Sequence, residues 1–293
     1  MSNPVIAIMY DFDKTLCDKD MQEYAFIPFI GMAPKDFCES TTKIAQNENM
    51  DKIIAYMYQM LVSLKEINVP ASRDLLVSMG KDVMLFNGVE EYFNRINEYG
   101  RKLGLKVEHY IISSGLKEII EGTKIAKEFK EIFACEFHYN KLGIADFPKS
   151  VVNYTTKTQF LFRISKGEFA IYDDKSINNK ISDKDRYVQY QNMIYLGDGL
   201  TDVPCMKLVK ENGGYSIAIY QDKDKVNKLL TDKRVDFVCK ADYGVGSEID
   251  QVIKTILDNI SQKEKFNKFK QSMEWYIFCF FFEKIYINIY KKN

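Results

Sequence analysis

Short apolar runs separated by longer amphipathic stretches set the rhythm of this chain. Residues 5–10, 107–112, 193–196 and 215–219 form four such runs, each short, apolar and followed by polar or turn-forming residues. Runs of that length and bounding read as buried strands. A weaker run covers residues 235–238. Strand-like runs alternating with helical patterns predict an α/β chain, a parallel sheet covered by helices.

The stretch between the first two runs, residues 11–106, is far longer than one crossover helix needs. Its end, residues 88–103, fits that crossover. Val89, Tyr92, Phe93, Ile96 and Tyr99 share a face, Glu90 and Glu91 suit a first turn, and Asn87 is the expected N-cap. The rest, residues 18–85, repeats apolar positions at helical spacing: Ile53, Ile54, Met57, Met60, Leu61 and Leu64. Pro34 reads as an N1 proline, and Pro70 and Gly80 as breaks. This part is expected to be an inserted helical subdomain. Beyond residue 112 the pattern predicts a helix over 117–129, a strand over 133–139 and an extended piece over 151–154. A helix over 158–164 and a solvated polar loop over 173–186 follow.

Composition narrows the picture modestly. Lys and Arg together number 41, as do Asp and Glu, so no global charge favours nucleic acid or an anionic membrane. The cysteines at 17, 38, 135, 205, 239 and 279 form no Cys-x-x-Cys pair or zinc spacing, and read as reduced thiols of a cytoplasmic protein. The first apolar run has no basic segment before it and no cleavage site after it. Trp275, Tyr276, Phe278, Phe280, Phe281, Phe282, Tyr286 and Tyr290 crowd the end of the chain, interrupted by Glu283 and Lys284. That segment is too short for an integral membrane span. It is read as a terminal helix packed on the protein, a homo-oligomer contact, or a membrane-surface or poorly folded tail.

The chemistry sits where strands end. Asp11 and Asp13 follow the first run; alternation in an extended chain turns both to one side. A carboxylate attacks a phosphate ester only if the phosphate charge is screened. Magnesium, which prefers oxygen ligands, would screen it, and Asp198 and Asp202 in Gly-Asp-Gly-x-x-Asp are placed to complete such a site. Ser113, Ser114 and Gly115 are expected to end the second strand and offer amides at a helix start, with Lys157 adding a positive charge. For Ser113 simple N-capping stays open, as does a plain surface role for Lys157. There is no Cys-x5-Arg loop and no P-loop, and His109 and His138 stand alone.

Asp-Phe-Asp-Lys-Thr, then Ser-x-Gly after an apolar run, then Lys157, then Gly-Asp-Gly-x-x-Asp resembles the haloacid dehalogenase (HAD) superfamily, specifically its phosphatases with a type 1 helical cap, such as the phosphoserine phosphatase-like members. The resemblance covers about residues 4–240. It implies a Rossmann-like core of residues 1–17 and 86–260, a cap of residues 18–85, and a tail of residues 261–293 outside the pattern. It implies that Asp11 becomes an aspartyl-phosphate and that Asp13 protonates the leaving group and then activates water. Mg2+ would be held by Asp11, the Asp13 backbone carbonyl and Asp198, with Asp202 in support. The chain departs from phosphoserine phosphatases in having Thr201 for Asn, Ser114-Gly115 for a double Gly, and Asp20 for a Glu nine residues after the nucleophile. Asp20 is read either as a partner for a substrate amine or as a cap of the next helix, and Arg73 as a receiver for a substrate carboxylate. The function expected is hydrolysis of a small phosphorylated metabolite. The alternatives are a phosphotransferase or phosphomutase on the same fold, or a non-catalytic HAD-like binding protein, against which the intact carboxylates argue.

Overall fold

The computed structural model describes residues 3–222 and 231–290, without the side chains of residue 271 and residues 274–290. The aromatic side chains of the tail, and with them its reading as an oligomer contact, lie outside the described residues. Seven strands form one sheet: β1 (Val5–Tyr10), β2 (Lys106–Leu116), β3 (Glu131–Tyr139), β4 (Ala145–Ser150), β5 (Met193–Gly197), β6 (Tyr215–Tyr220) and β7 (Phe237–Lys240). Their order is β4-β3-β2-β1-β5-β6-β7. All neighbours are parallel except β3 and β4, which are antiparallel.

The apolar runs become strands because both sheet faces are covered. Ile6, Ile8 and Tyr10 are fully buried, and so are Ala7 and Met9 between them. The chain moves outward from β1 to β2 and β3, then returns past β1 to β5. This makes β1 and β5 a topological switch point, where α/β sheets bind ligands beyond the carboxyl ends of their strands. Right-handed crossovers in opposite directions put the helices on opposite faces. α5 (Val89–Lys102) packs on β2 and also meets the long α10 (Glu248–Tyr290), whereas α7 (Lys157–Lys166) packs against α9 (Val203–Glu211). Short helices α6 (Lys117–Glu121) and α8 (Lys175–Asn178) fill connections.

Residues 18–85 contribute only helices among the regular elements: a 3-10 turn (Met21–Glu23), α1 (Phe26–Phe29), α2 (Pro34–Asn47), α3 (Lys52–Glu66), α4 (Arg73–Ser78) and a second 3-10 turn (Met79–Asp82). Pro34 opens α2, and Asp51 caps α3 by accepting from the amides of Ile53 (2.9 Å) and Ile54 (3.2 Å). The outgoing and returning chains meet at an antiparallel bridge between Cys17 and Leu85, and the Phe86 amide donates to the Leu16 carbonyl at 2.9 Å. Further bonds tie the insert to the rest of the chain. The Ala145 amide donates to the Ala71 carbonyl at 2.8 Å, and Asn153 Nδ2 donates to Asp51 Oδ2 at 3.0 Å.

Several local expectations are corrected. The expected helix over 117–129 stops at Glu121, followed only by a 3-10 turn (Ala126–Glu128). A Cβ at Gly122 would collide with the Val77 carbonyl, so the chain there is spent on approach to the insert. β4 takes residues 145–150 as an edge strand with Pro148 in it, a pattern without the apolar run that marks a buried strand. The extended piece over 151–154 joins no strand, and the loop over 173–186 carries α8 and a 3-10 turn (Asp183–Asp185). The N-cap of α5 is Gly88, with φ 75°, instead of Asn87. Asn87 is used differently: its Nδ2 donates to Asp242 Oδ1 at 2.9 Å.

Candidate active site

Parallel register builds the floor of the site. Tyr10 pairs with Leu196 on one side and Ile111 on the other, and the Asp11 amide donates to the Leu196 carbonyl at 2.9 Å. Beyond these pairs β1 leads to Asp11 one residue on, and β5 and β2 lead to Asp198 and Ser113 two residues on. Carboxylate oxygens of Asp11, Asp198 and Asp202 lie within 4.8 Å of one another. Asp202 stands at the N-cap of α9 yet makes no cap bond; its Oδ1 turns inward to accept from Lys157 Nζ (2.7 Å) and the Tyr195 hydroxyl (2.8 Å).

Lys157, the first residue of α7, is 1% exposed and binds both acids, with Nζ 3.0 Å from Asp11 Oδ2. The two buried carboxylates raise its pKa, against the burial that lowers it. One buried lysine does not neutralise this group. Burial and the neighbouring Asp202 push Asp11 up to about 6 despite Lys157. Burial, Asp11 and Asp202 push Asp198 up to about 7. Asp202 Oδ2 is buried without a hydrogen-bond partner. Crowded carboxylates, one of them with an unsatisfied oxygen, fit a hard divalent cation that takes oxygen ligands, and Mg2+ is of that kind.

Asp13 is on the same edge. Its Oδ1 accepts from the Met21 amide at 2.8 Å. Burial, Asp20 and Asp11 raise its pKa well above the carboxylate range. A carboxyl pushed toward its protonated form beside one paired with a lysine is the arrangement that lets one act as acid and the other as nucleophile.

The second motif differs from expectation. β2 continues through Leu116, with its register to β3 shifting between Ile112 and Leu116. The Gly115 amide is not free at a helix start; it donates to Ser113 Oγ at 3.0 Å. Ser113 is thus no helix cap, and its buried hydroxyl keeps a proton to give. Ser114 is half-buried, and its carbonyl accepts from Cys135 Sγ at 3.3 Å. A Cβ at Gly115 would meet the flexible end of Met21 and stand 3.1 Å from Asp13 Oδ2.

The two substrate candidates part ways. Asp20 makes no cap bond to the turn it precedes, which corrects that reading; it pairs with Lys14 Nζ at 2.6 Å, both side chains about half exposed. Arg73 is held in an ion pair with Glu121 of α6, so its guanidinium already has a carboxylate. Neither histidine joins the carboxylates. His109 Nδ1 pairs with the Tyr10 hydroxyl at 2.9 Å and Nε2 with Asn97 at 3.1 Å, and burial holds its pKa down to about 3. Sequence reasoning missed Tyr195 and Met21, whose contacts depend on register and packing and leave no local pattern. Lys14 gave a signal, a non-glycine residue in a turn between motif acids; its φ is 57°.

No family model matches the chain. It is 26% identical over 276 residues to an uncharacterized protein of Borreliella burgdorferi, an overlap of 84% of this chain and 94% of that one. Among solved structures it resembles a HAD family hydrolase from Salmonella enterica serovar Typhi, with TM-score 0.52, 16% identity, and 80% of this chain and 67% of that chain covered. It also resembles a phospho-aspartyl intermediate analogue of phosphoserine phosphatase, with TM-score 0.54, 15% identity, and 86% of this chain and 99% of that chain covered. The chain has the α/β, Rossmann-like fold of the HAD hydrolases, as the order of its motifs implied.

Proposed function

We propose that this protein is a magnesium-dependent phosphatase that hydrolyses a small phosphate monoester through an aspartyl-phosphate. The observation that carries the reading is the carboxylate group of Asp11, Asp198 and Asp202 beyond the carboxyl ends of adjacent strands, with Lys157 bonded to Asp11 and Asp202. The fold likeness to phosphoserine phosphatase supports it. Asp11 and Asp198, the Asp13 backbone carbonyl and Asp202 in support would hold Mg2+, which supplies charge screening for the phosphoryl oxygens.

The chain's own residues divide the work. Asp11 attacks phosphorus, its Oδ1 held by the Phe12 amide at 2.8 Å and its Oδ2 by Lys157. Lys157 favours the ionised form of Asp11 and keeps one N–H for a phosphoryl oxygen. Ser113 donates its hydroxyl proton to another. The protonated Asp13 gives its proton to the leaving alkoxide, then takes one from the water that cleaves the acyl-phosphate and restores Asp11. In this reading residues 18–85 act as a cap over a core of residues 1–17 and 86–260, excluding bulk water and large substrates. A small phosphorylated metabolite in the cytoplasm is the proposed setting. Among the described residues no helix is long and apolar enough to cross a membrane.

The test is turnover of p-nitrophenyl phosphate with Mg2+, after EDTA, and after Mg2+ is restored. Activity should vanish and return, and Asp11→Asn should abolish it. Normal turnover by Asp11→Asn removes the reading. Adding an acceptor alcohol and analysing products separates hydrolysis from phosphoryl transfer.

A further inference from the structure

The insert contains a cavity of about 380 Å3 bounded by the Met21–Glu23 turn, α1, α2 and α3. That volume lies within the range of small-molecule sites. Its lining is graded. Ile27, Phe37 and Thr41 are buried, whereas Lys52 is exposed and Asp20 half-exposed. The charged residues of the lining thus keep exposure, as do Pro34 and Cys38, and the buried wall is apolar apart from Gln22 and Thr41, with Ile53 and Tyr56 completing it from α3.

Thr41 marks the interior. It is 3% exposed, and its Oγ1 has no hydrogen-bond partner. Its neighbour Thr42 takes the usual helical solution, donating to the Cys38 carbonyl at 2.8 Å. A buried hydroxyl without a partner is costly unless something else meets it, and Thr41 belongs to the cavity wall.

The cavity adjoins the proposed chemistry. Asp20 and Gln22, both in its wall, flank Met21, whose amide holds Asp13 Oδ1 at 2.8 Å. Gln22 Nε2 donates to the Tyr56 hydroxyl at 2.6 Å, fixing the polar part of that wall. Asp13 is thus held by the residue that lies between two members of the cavity wall.

We infer that this cavity receives the alcohol portion of the phosphate ester, and that this alcohol is an apolar or aromatic body with one hydrogen-bonding atom reaching Thr41 Oγ1. The inference rests on the phosphatase reading above. It sets aside a zwitterionic amino-acid leaving group: among the described residues Lys52 is the one cation in the lining and is exposed, Glu23 is partly exposed, Arg73 is occupied by Glu121, and Lys14 occupies Asp20.

The experiment compares four esters with Mg2+: methyl phosphate, 2-phenylethyl phosphate, 2-(4-hydroxyphenyl)ethyl phosphate and O-phosphoserine. The wild type should prefer 2-phenylethyl phosphate to O-phosphoserine by at least about tenfold in kcat/KM. Filling the cavity by Thr41→Phe, or from α3 by Ile53→Trp, should lower the 2-phenylethyl-to-methyl ratio by about thirtyfold. Thr41→Val should lower the preference for the hydroxyphenyl over the phenyl ester by about tenfold. A preference for O-phosphoserine, or ratios unchanged in folded filled variants, overturns the inference. Binding of 2-phenylethanol, followed by saturation-transfer NMR, separates the two claims. If no ester turns over, the phosphatase reading fails, and the cavity assignment stands only if the alcohol binds the wild type and not the filled variants. Absence of that binding overturns it.

Discussion

The floor of the site and the insert beside it handle charge in opposite ways. On the floor, three carboxylates bring oxygens within 4.8 Å of one another around one buried lysine. In the insert, the buried cavity wall is apolar apart from Gln22 and one unpartnered hydroxyl, and the charged residues are toward solvent. Uncompensated charge is expensive to bury, so a floor of this kind is kept for reaction chemistry. An apolar wall discriminates among leaving groups by shape and burial and contributes nothing to bond breaking. Substitutions on the floor should act on kcat, and those in the insert on the relative use of substrates.

The largest effect is expected on the floor. Asp11→Asn should lower kcat by at least about 10^4-fold, because no other group there is placed to attack. Steady-state and single-turnover assays with p-nitrophenyl phosphate check this. Next comes Lys157→Met, which removes the shared partner of Asp11 and Asp202. We expect about a 10^3-fold loss of kcat and about 3 kcal/mol of stability, read by urea unfolding at pH 8. In the insert, Gln22→Leu should change kcat for methyl phosphate only about twofold while shifting the ratio between two bulky esters about tenfold. A uniform loss for every ester would erase the distinction between the two regions.

The smallest effect concerns protons. The folded pKa values of Asp11 and Asp198, about 6 and about 7, exceed the ordinary value near 3.8. Between those values the folded protein binds more protons than the unfolded one, so metal-free stability falls as pH rises from about 4 to about 7. Asp198→Asn should relieve part of this, raising the metal-free Tm at pH 8 by about 2–5 °C and removing the further rise on adding Mg2+. An unchanged pH profile on thermal denaturation would contradict the crowding of charge on the floor.

Legibility in the sequence follows the same division. The floor was readable because each acid follows an apolar strand, and strand ends in an α/β sheet converge. Asp11, Ser113 and Asp198 needed only β1, β2 and β5 to be adjacent. The readings that failed were those set by contact between distant segments. Gly122 and Gly80 meet backbone of the other region, which ends the helix after Glu121. The cap reading of Asp20 gives way to its link with Lys14, which runs across a turn with an uncommon φ at residue 14. The insert's amphipathic periodicity announced helices without saying which buried positions would line a cavity. Thr41 looks like any helical threonine until its missing partner is seen.

The most direct measurement is the location of a trapped phosphoryl group. Wild-type protein would be incubated with 32P-labelled acetyl phosphate and Mg2+, quenched in acid and mapped by peptide. The account predicts hydroxylamine-sensitive label on the peptide containing Asp11, absent from Asp11→Asn and from samples treated with EDTA. Label on another residue, or label on Asp11 that forms equally well without a divalent cation, would contradict it.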